Sequence, residues 1–415
     1  MERPSVLFVS IAFPPKFDSE GLQVAKYFKY FSPSCEGLMS IDVVTSSIPT
    51  LFMPYDASLE INPSSYRQKI DIPIFENKYV NFISRKIFPH KLDAPDSKLS
   101  FHWQWKKVVK QLKNKPSVIY SRSFPASSAV MAMKLKKYYR IPWILHLSDP
   151  WVDSPVNIMK GKVKAVNEAF EQECFTLADK ISLTSLETIN FYKNKYPAFK
   201  DKFCYYPNVY DPEDIPQQKT YLIQKERKLK FVYTGGMAGT RSPEPFLKAF
   251  STLPQHIQNE IEVVFSGWAD RANAGYFKEY AVPCVRYNGH LDTYKEAIAL
   301  QNSADVLLLI DFPISEQDKR MYFLSKILDY MITGKYVLAT TGKGSTCERI
   351  IHDKMGACYA EDDVEGLREK IIWLVEQFKQ GAETVFYRNN IHTEFDAKIN
   401  AVRLRDELLA LTAMP

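Results

Sequence analysis

Cysteine is sparse in this sequence of 415 residues: Cys35, Cys174, Cys204, Cys284, Cys347 and Cys358 are scattered, and no two share a C-x-x-C spacing. That pattern argues against a zinc site or a disulfide scaffold and suits reduced thiols. Long apolar runs are also missing. No stretch of about 18 uninterrupted apolar residues occurs, so a membrane-spanning helix is not expected. A cleavable signal pattern is absent as well, since MERPSVLFVS passes directly into a strand-like run, and the expectation is a cytoplasmic chain. No D-x-D run lies where it would recruit Mg²⁺ or Mn²⁺. Acidic pairs such as Asp211 with Glu213, or Asp362 with Asp363, fall in linker or loop and read as solvated carboxylates.

What is present is a large stock of core residues, 46% hydrophobic and 13% aromatic, at a length that suits two domains. The apolar runs VLFVSIA (5–11), IDVVTS (41–46), SVIYSR (117–122), PWILHLS (142–148) and KISLTS (180–185) alternate with helical patterns such as SSAVMAMKLKKYYR and VNEAFEQECFTLA. Continuous apolar strands alternating with helices imply a parallel sheet covered on both faces. A Pro-rich, charged passage over 208–228 reads as a linker. A second series then follows: LKFVYTGG (229–236), EVVFSG (262–267), CVRYNG (284–289), DVLLLID (305–311), YVLATT (336–341) and ACYAE (357–361). The expected architecture is α/β, with two doubly wound Rossmann-like domains, 1–207 and 229–390, facing a cleft. The last helix, within 391–415, is expected to pack back on the first domain. In such sheets ligands bind beyond the carboxyl ends of the strands.

Several strand-end loops of the second half fit that geometry. Gly235 and Gly236 follow FVYT, and Gly239 and Arg241 come next. Glycines let backbone N–H groups approach an anion and Arg241 adds fixed charge, although such turns also arise for purely structural reasons. Gly267-Trp268 and Asn288-Gly289-His290 offer walls for a base or ring. The stretch MYFLSKILDYMITGKYVLAT, 321–340, carries the stronger signal. Leu324, Ile327, Leu328 and Met331 bury one face of a helix that Gly334 stops. Ser325 is placed to cap it, and Lys326 sets a cation where a helix start prefers an anion, an arrangement that a bound phosphate relieves. Asp329, three residues on, shares that face and suits a ribose diol. The alternative is a surface i,i+3 ion pair, worth only a few tenths of a kcal/mol.

Charge is concentrated between Arg85 and Lys115, where nine Lys or Arg face only Asp93 and Asp96, interleaved with Phe82, Ile83, Ile87, Phe88, Phe101, Trp103 and Trp105. An anionic membrane surface is one reading of this segment. A solvated helix, KKVVKQLKNK, with its aromatics buried is the other. Nucleic acid is not expected, because the basic segment is local in a chain of net charge +6.

Taken in order, these motifs resemble those of GT-B fold glycosyltransferases close to family 4, the group that builds bacterial surface polysaccharides. SKILDYMITGKYVLAT is similar to that family's PSK-x-x-EY-x-x-x-GKPV-x-A-T block, and VYTGGMAGTRSPEPFLKAF to its tyrosine–glycine loop with a following Arg-Ser-Pro. SADVLLLI and PNVYD resemble its AD-V-L-L strand and its PNG-x-D hinge. In the first half, SIAFPPKFDSEG, APDSKLSFHWQW and PWILHLSDPW resemble its FPP-x-x-x-x-G, PD…W and PW-x-x-D-x-RDPW segments.

The resemblance implies a glycosyltransferase that uses a UDP- or GDP-linked sugar as substrate, needs no cofactor or metal, and retains anomeric configuration. Its acceptor would be a glycan or a lipid-linked glycan, reached from the cytoplasm or the inner face of the membrane. On the donor side, Lys326 and Arg241 would neutralise the diphosphate and Asp329 would hold the ribose. Gly21, Gly235, Gly236, Gly267, His290 and Ser325 would complete that site. Asp149 is counted with Lys326 and Arg241 among the catalytic candidates; with Trp151 it would also line the acceptor side, together with Glu20, Arg122 and His146. Asp149, Glu20 and His146 are the base candidates were the reaction inverting. Some positions depart from the family pattern: Asp329 stands for glutamate, Met321 for a carboxylate, Ser148 for arginine, His146 for aspartate and Val209 for glycine. A nucleotide-sugar epimerase on the same scaffold and a non-catalytic sugar-nucleotide-binding subunit are the alternatives.

Overall fold

The structure is a computed structural model that describes residues 3–47, 53–75, 79, 94–154, 158–215, 223, 226–291, 293–312, 320–352, 354–387 and 391–413. The chain divides into two compact units. One comprises Met1–Pro212, Met321–Phe323 and Thr393–Pro415; the other comprises Glu213–Arg320 and Leu324–His392.

The first unit is built on a parallel sheet of seven strands: β1 (Ser5–Val9), β2 (Ser40–Ser46), β3 (Gln68–Ile72), β4 (Val118–Ser123), β5 (Trp143–Leu147), β6 (Lys180–Leu183) and β7 (Phe203–Tyr205). Their spatial order is β3-β2-β1-β4-β5-β6-β7. β1 is apolar from Val6 to Val9 because both its faces are covered. Leu7 and Val9 pack with Ile119, Leu145 and the helix Ser127–Tyr139. Val6 and Phe8 pack with Val24, Phe28 and Phe31 of the helix Ser19–Cys35. The closing helix, Ala397–Thr412, adds Ala401, Leu404, Leu408 and Leu411 to that second layer. Where the chain leaves and re-enters this unit, Tyr210 and Asp396 form a parallel bridge: Tyr210 N–H donates to Phe395 O at 2.9 Å and Ala397 N–H to Tyr210 O at 3.1 Å. The two edge strands, β3 and β7, are additions to the sequence expectation.

The second unit holds a parallel sheet of six strands: β8 (Leu229–Thr234), β9 (Ile261–Ser266), β10 (Val285–Tyr287), β11 (Val306–Ile310), β12 (Tyr336–Thr340) and β13 (Gly356–Tyr359). Their order is β10-β9-β8-β11-β12-β13. Phe246, Leu247 and Phe250 of the helix Glu244–Ser251 meet Leu367, Ile371 and Leu374 of the helix Val364–Gln380 over one face. Strand order reverses between β1 and β4 in the first sheet and between β8 and β11 in the second, and a crevice opens beyond the strand ends at such a point.

Among the described residues no helix is long and apolar enough to cross a membrane. Of the basic and aromatic segment, residues 82–93 lie outside the described residues. In the remainder Phe101 and Lys98 are buried, Trp105 is half-buried against Tyr138, and Trp103 is 54% exposed. The helix Trp105–Gln111 turns Val108 inward and leaves Lys106, Lys107 and Lys110 in solvent.

Candidate active site

In the second unit the crevice between β8 and β11 is floored by Lys326, the first residue of the helix Lys326–Thr333. Its ammonium donates to Thr234 O at 2.7 Å and sits 4.5 Å from the centre of the Tyr233 ring. Tyr233 is fixed in turn, its hydroxyl donating to Gly236 O at 2.9 Å. Gly235 has φ +136°, and a methyl group there would collide with the Lys326 ammonium. Gly267, at φ +138°, leaves no room for one against the Gly235 carbonyl. Both glycines are therefore required for close packing.

The Gly235 amide does not join the anion cradle expected of the Gly-Gly turn. The Gly235 N–H is spent on Ser266 O at 2.8 Å, and that of Gly267 on Gly289 O at 2.6 Å. Charge at this crevice comes instead from side chains. Removal from water, and next the nearby Arg241 charge, hold the Lys326 ammonium down to about 7. The Arg241 guanidinium lies 4.2 Å from the Phe312 ring centre, and its Nε has no hydrogen-bond partner among the described residues.

Ser325 precedes the helix with φ −58° and ψ −25°. That helical backbone leaves its side chain without a capping hydrogen bond, so the expected cap is corrected. Asp329 is buried one turn on and accepts from the Tyr294 hydroxyl at 2.8 Å. His290 is exposed beyond β10, after Gly289. A cavity of about 290 Å³ lies beyond β11, β12 and β13, lined by Thr240, Ser242, Asp311, Arg320, Thr341 and Glu361 among others. Burial pushes the Asp311 carboxyl up, and it accepts from Thr341 Oγ1 at 2.7 Å. Sequence reading met Tyr233 only as the tyrosine of the tyrosine–glycine loop and did not single out Tyr294, Phe312 or Asp311.

In the first unit, Glu20 lies in the first turn of the helix Ser19–Cys35, which Asp18 caps through the Gly21 N–H at 2.6 Å. Glu20 pairs with Arg122 Nε at 2.8 Å and accepts from the Ser148 hydroxyl. Gly21 is needed here because a Cβ would strike the Lys16 carbonyl. His146 is wholly buried on β5, with Nδ1 2.8 Å from Ser182 Oγ, and burial lowers its pKa well below the usual value. Asp149 follows β5 and is half-buried. Trp151 is corrected outright as a wall of the acceptor side. It has no exposed surface, and its indole N–H donates to Asn167 Oδ1 at 2.8 Å, so it belongs to the core.

The family model described as Glycosyl transferases group 1 matches residues 228–377. Among solved structures, HepE of Anabaena, crystallised in complex with UDP and glucose, is similar over 100% of both chains at 13% identity and a TM-score of 0.62. WaaG, a glycosyltransferase involved in lipopolysaccharide biosynthesis, covers 97% of this chain and 99% of its own at 13% identity and a TM-score of 0.64. A candidate UDP-N-acetylglucosamine 2-epimerase from Listeria monocytogenes is similar at 11% identity over 97% of this chain and 95% of its own, with a TM-score of 0.57. No curated protein matches in sequence. Residues 228–377 thus match a group 1 glycosyl transferase domain, in a chain whose two Rossmann-like sheets have the GT-B fold.

Proposed function

We propose that the enzyme moves a hexose from a UDP- or GDP-linked donor to a glycan or lipid-linked glycan acceptor, with retention of configuration and without a metal. The observation that carries this reading is the placement of Lys326 and Arg241 at the strand-order reversal of the second sheet. Breaking the anomeric C–O bond leaves negative charge on the departing nucleoside diphosphate. Fixed cations already at that position stabilise the charge with little reorganisation. Asp329, steadied by Tyr294, would accept from the ribose hydroxyls. The bound UDP of HepE and the lipopolysaccharide role of WaaG support a nucleotide-sugar donor and a surface-polysaccharide acceptor.

Transfer of labelled sugar, measured with and without EDTA, tests the proposal. Equal rates are expected. Loss with the chelator and rescue by Mg²⁺ would remove metal independence. An epimerase is the second reading, favoured by the Listeria neighbour. It would change the sugar of a nucleotide sugar with no acceptor present, whereas the transferase leaves that sugar's stereochemistry intact.

A further inference from the structure

A polar row crosses the first sheet beneath the helix Ser19–Cys35. Val9 pairs with Ser121, which sets Ser10 level with Arg122; Arg122 pairs with His146, and His146 with Ser182. Arg122 has no exposed surface and lies 5.0 Å from the Tyr27 ring centre. Its Nη1 and Nη2, like Ser10 Oγ and His146 Nε2, have no hydrogen-bond partner among the described residues. A buried ion pair contributes little net stability, so a guanidinium with two unspent donors is poorly explained as a structural strut. Its charge works on Glu20, which with Ser148 forms the part of the cluster that reaches solvent, at 8% and 9% exposure.

Building on the transferase reading, we infer that Glu20 receives a neutral sugar hydroxyl of the acceptor, and that Arg122 and Ser148 are positioning residues for its carboxylate. Glu20 Oε1 accepts from Arg122 and Oε2 from Ser148, which leaves each oxygen a further lone pair for an O–H donor. A phosphate is disfavoured, because Glu20 already neutralises Arg122 and would face the incoming anion. The Glu20–Arg122 pair therefore specifies a hydroxyl-bearing glycan end.

The test is saturation-transfer NMR on the full chain with UDP present, using methyl glycosides of the common hexoses and, separately, inorganic phosphate. At least one glycoside should bind, and Glu20→Gln should weaken it about tenfold, the cost of replacing a charged acceptor with a neutral amide oxygen. Ser148→Ala should weaken it less. Because Glu20→Gln strands the Arg122 charge, its melting curve is recorded; if it unfolds, the uncharged pair Glu20→Gln with Arg122→Met must show the same loss. Arg122→Lys, which keeps the charge, should restore part of the binding relative to Arg122→Met. Glycoside binding untouched by Glu20→Gln, phosphate binding in its place, or no binding glycoside at all would overturn the inference. Failure of wild-type protein to bind UDP or any other nucleoside diphosphate would instead count against the donor-site reading.

Discussion

Gln23 holds the backbone of Val209 from both sides: its amide nitrogen donates to Val209 O at 3.2 Å and its amide oxygen accepts from Val209 N–H at 2.7 Å. The same helix adds Tyr27, whose hydroxyl donates to Pro207 O at 2.9 Å, and Lys29, paired with Asp211 at 2.7 Å. The segment leaving the first unit is thus fastened along the helix that carries Glu20 in its first turn. Gln23→Ala leaves a buried N–H and a buried carbonyl without partners. It should lower stability by about 2 kcal/mol or more, read as a shift in the urea midpoint. An unchanged midpoint would show that the clasp contributes nothing.

Lys326→Ala should lower turnover by about a hundredfold, since its charge is needed most as the diphosphate departs. Asp329→Ala should act differently, raising the apparent donor constant more than it lowers turnover. Steady-state kinetics on both variants separates the two. A Lys326→Ala enzyme within a factor of about two of wild type would remove that residue from the chemistry.

The pH dependence follows from the low pKa of Lys326, about 7 in the free protein. A nucleotide sugar's diphosphate favours the ammonium form, so binding above neutrality draws in a proton, and affinity weakens as pH rises through 7. Without ligand the sign for folding is opposite. The unfolded lysine keeps its proton up to 10.5 while the folded one sheds it near 7, so this residue's contribution to stability becomes more favourable between those values. Calorimetry at about pH 8, in two buffers of different ionisation enthalpy, should show proton uptake on binding. Arg241→Ala relieves the repulsion and should move its onset to higher pH.

The expectation of an anionic membrane surface is testable on the first unit, where Trp103 and Tyr138 are more than half exposed and Lys106, Lys107 and Lys110 lie in solvent. Basic residues near an anionic surface contribute about 1 kcal/mol each. Co-sedimentation should therefore favour anionic over neutral vesicles at low salt and fade at high salt. Equal, negligible binding to both vesicle types at low salt would remove the membrane claim.

The central strands were legible because burial on both faces makes them unbroken apolar runs. β3 was not, since QKIDI alternates at a sheet edge, nor was β7, which has three residues. At the candidate site of the second unit, Lys326 and Asp329 stood out because a lysine and an aspartate share the start of an otherwise buried helix. The rest depends on contacts distant in sequence. Asp329 meets Tyr294 35 residues away, and Gly235 is required by a lysine 91 positions later. Trp151 was misread because the resemblance of PWILHLSDPW to the family's RDPW segment carried it to the acceptor side, whereas its burial and its bond to Asn167 show that it faces inward.

The bridge between Tyr210 and Asp396 fastens side by side two segments of the first unit that enclose the second unit in sequence, together with the first unit's own Met321–Phe323. A truncation after residue 392 would consequently not trim a tail. It would strip Ala401, Leu404, Leu408 and Leu411 from the first unit's own core. A splice joining residue 211 directly to 396 would do the reverse, deleting the second unit, with Met321–Phe323 and Thr393–Phe395 of the first, while keeping the closing helix in the first unit's core.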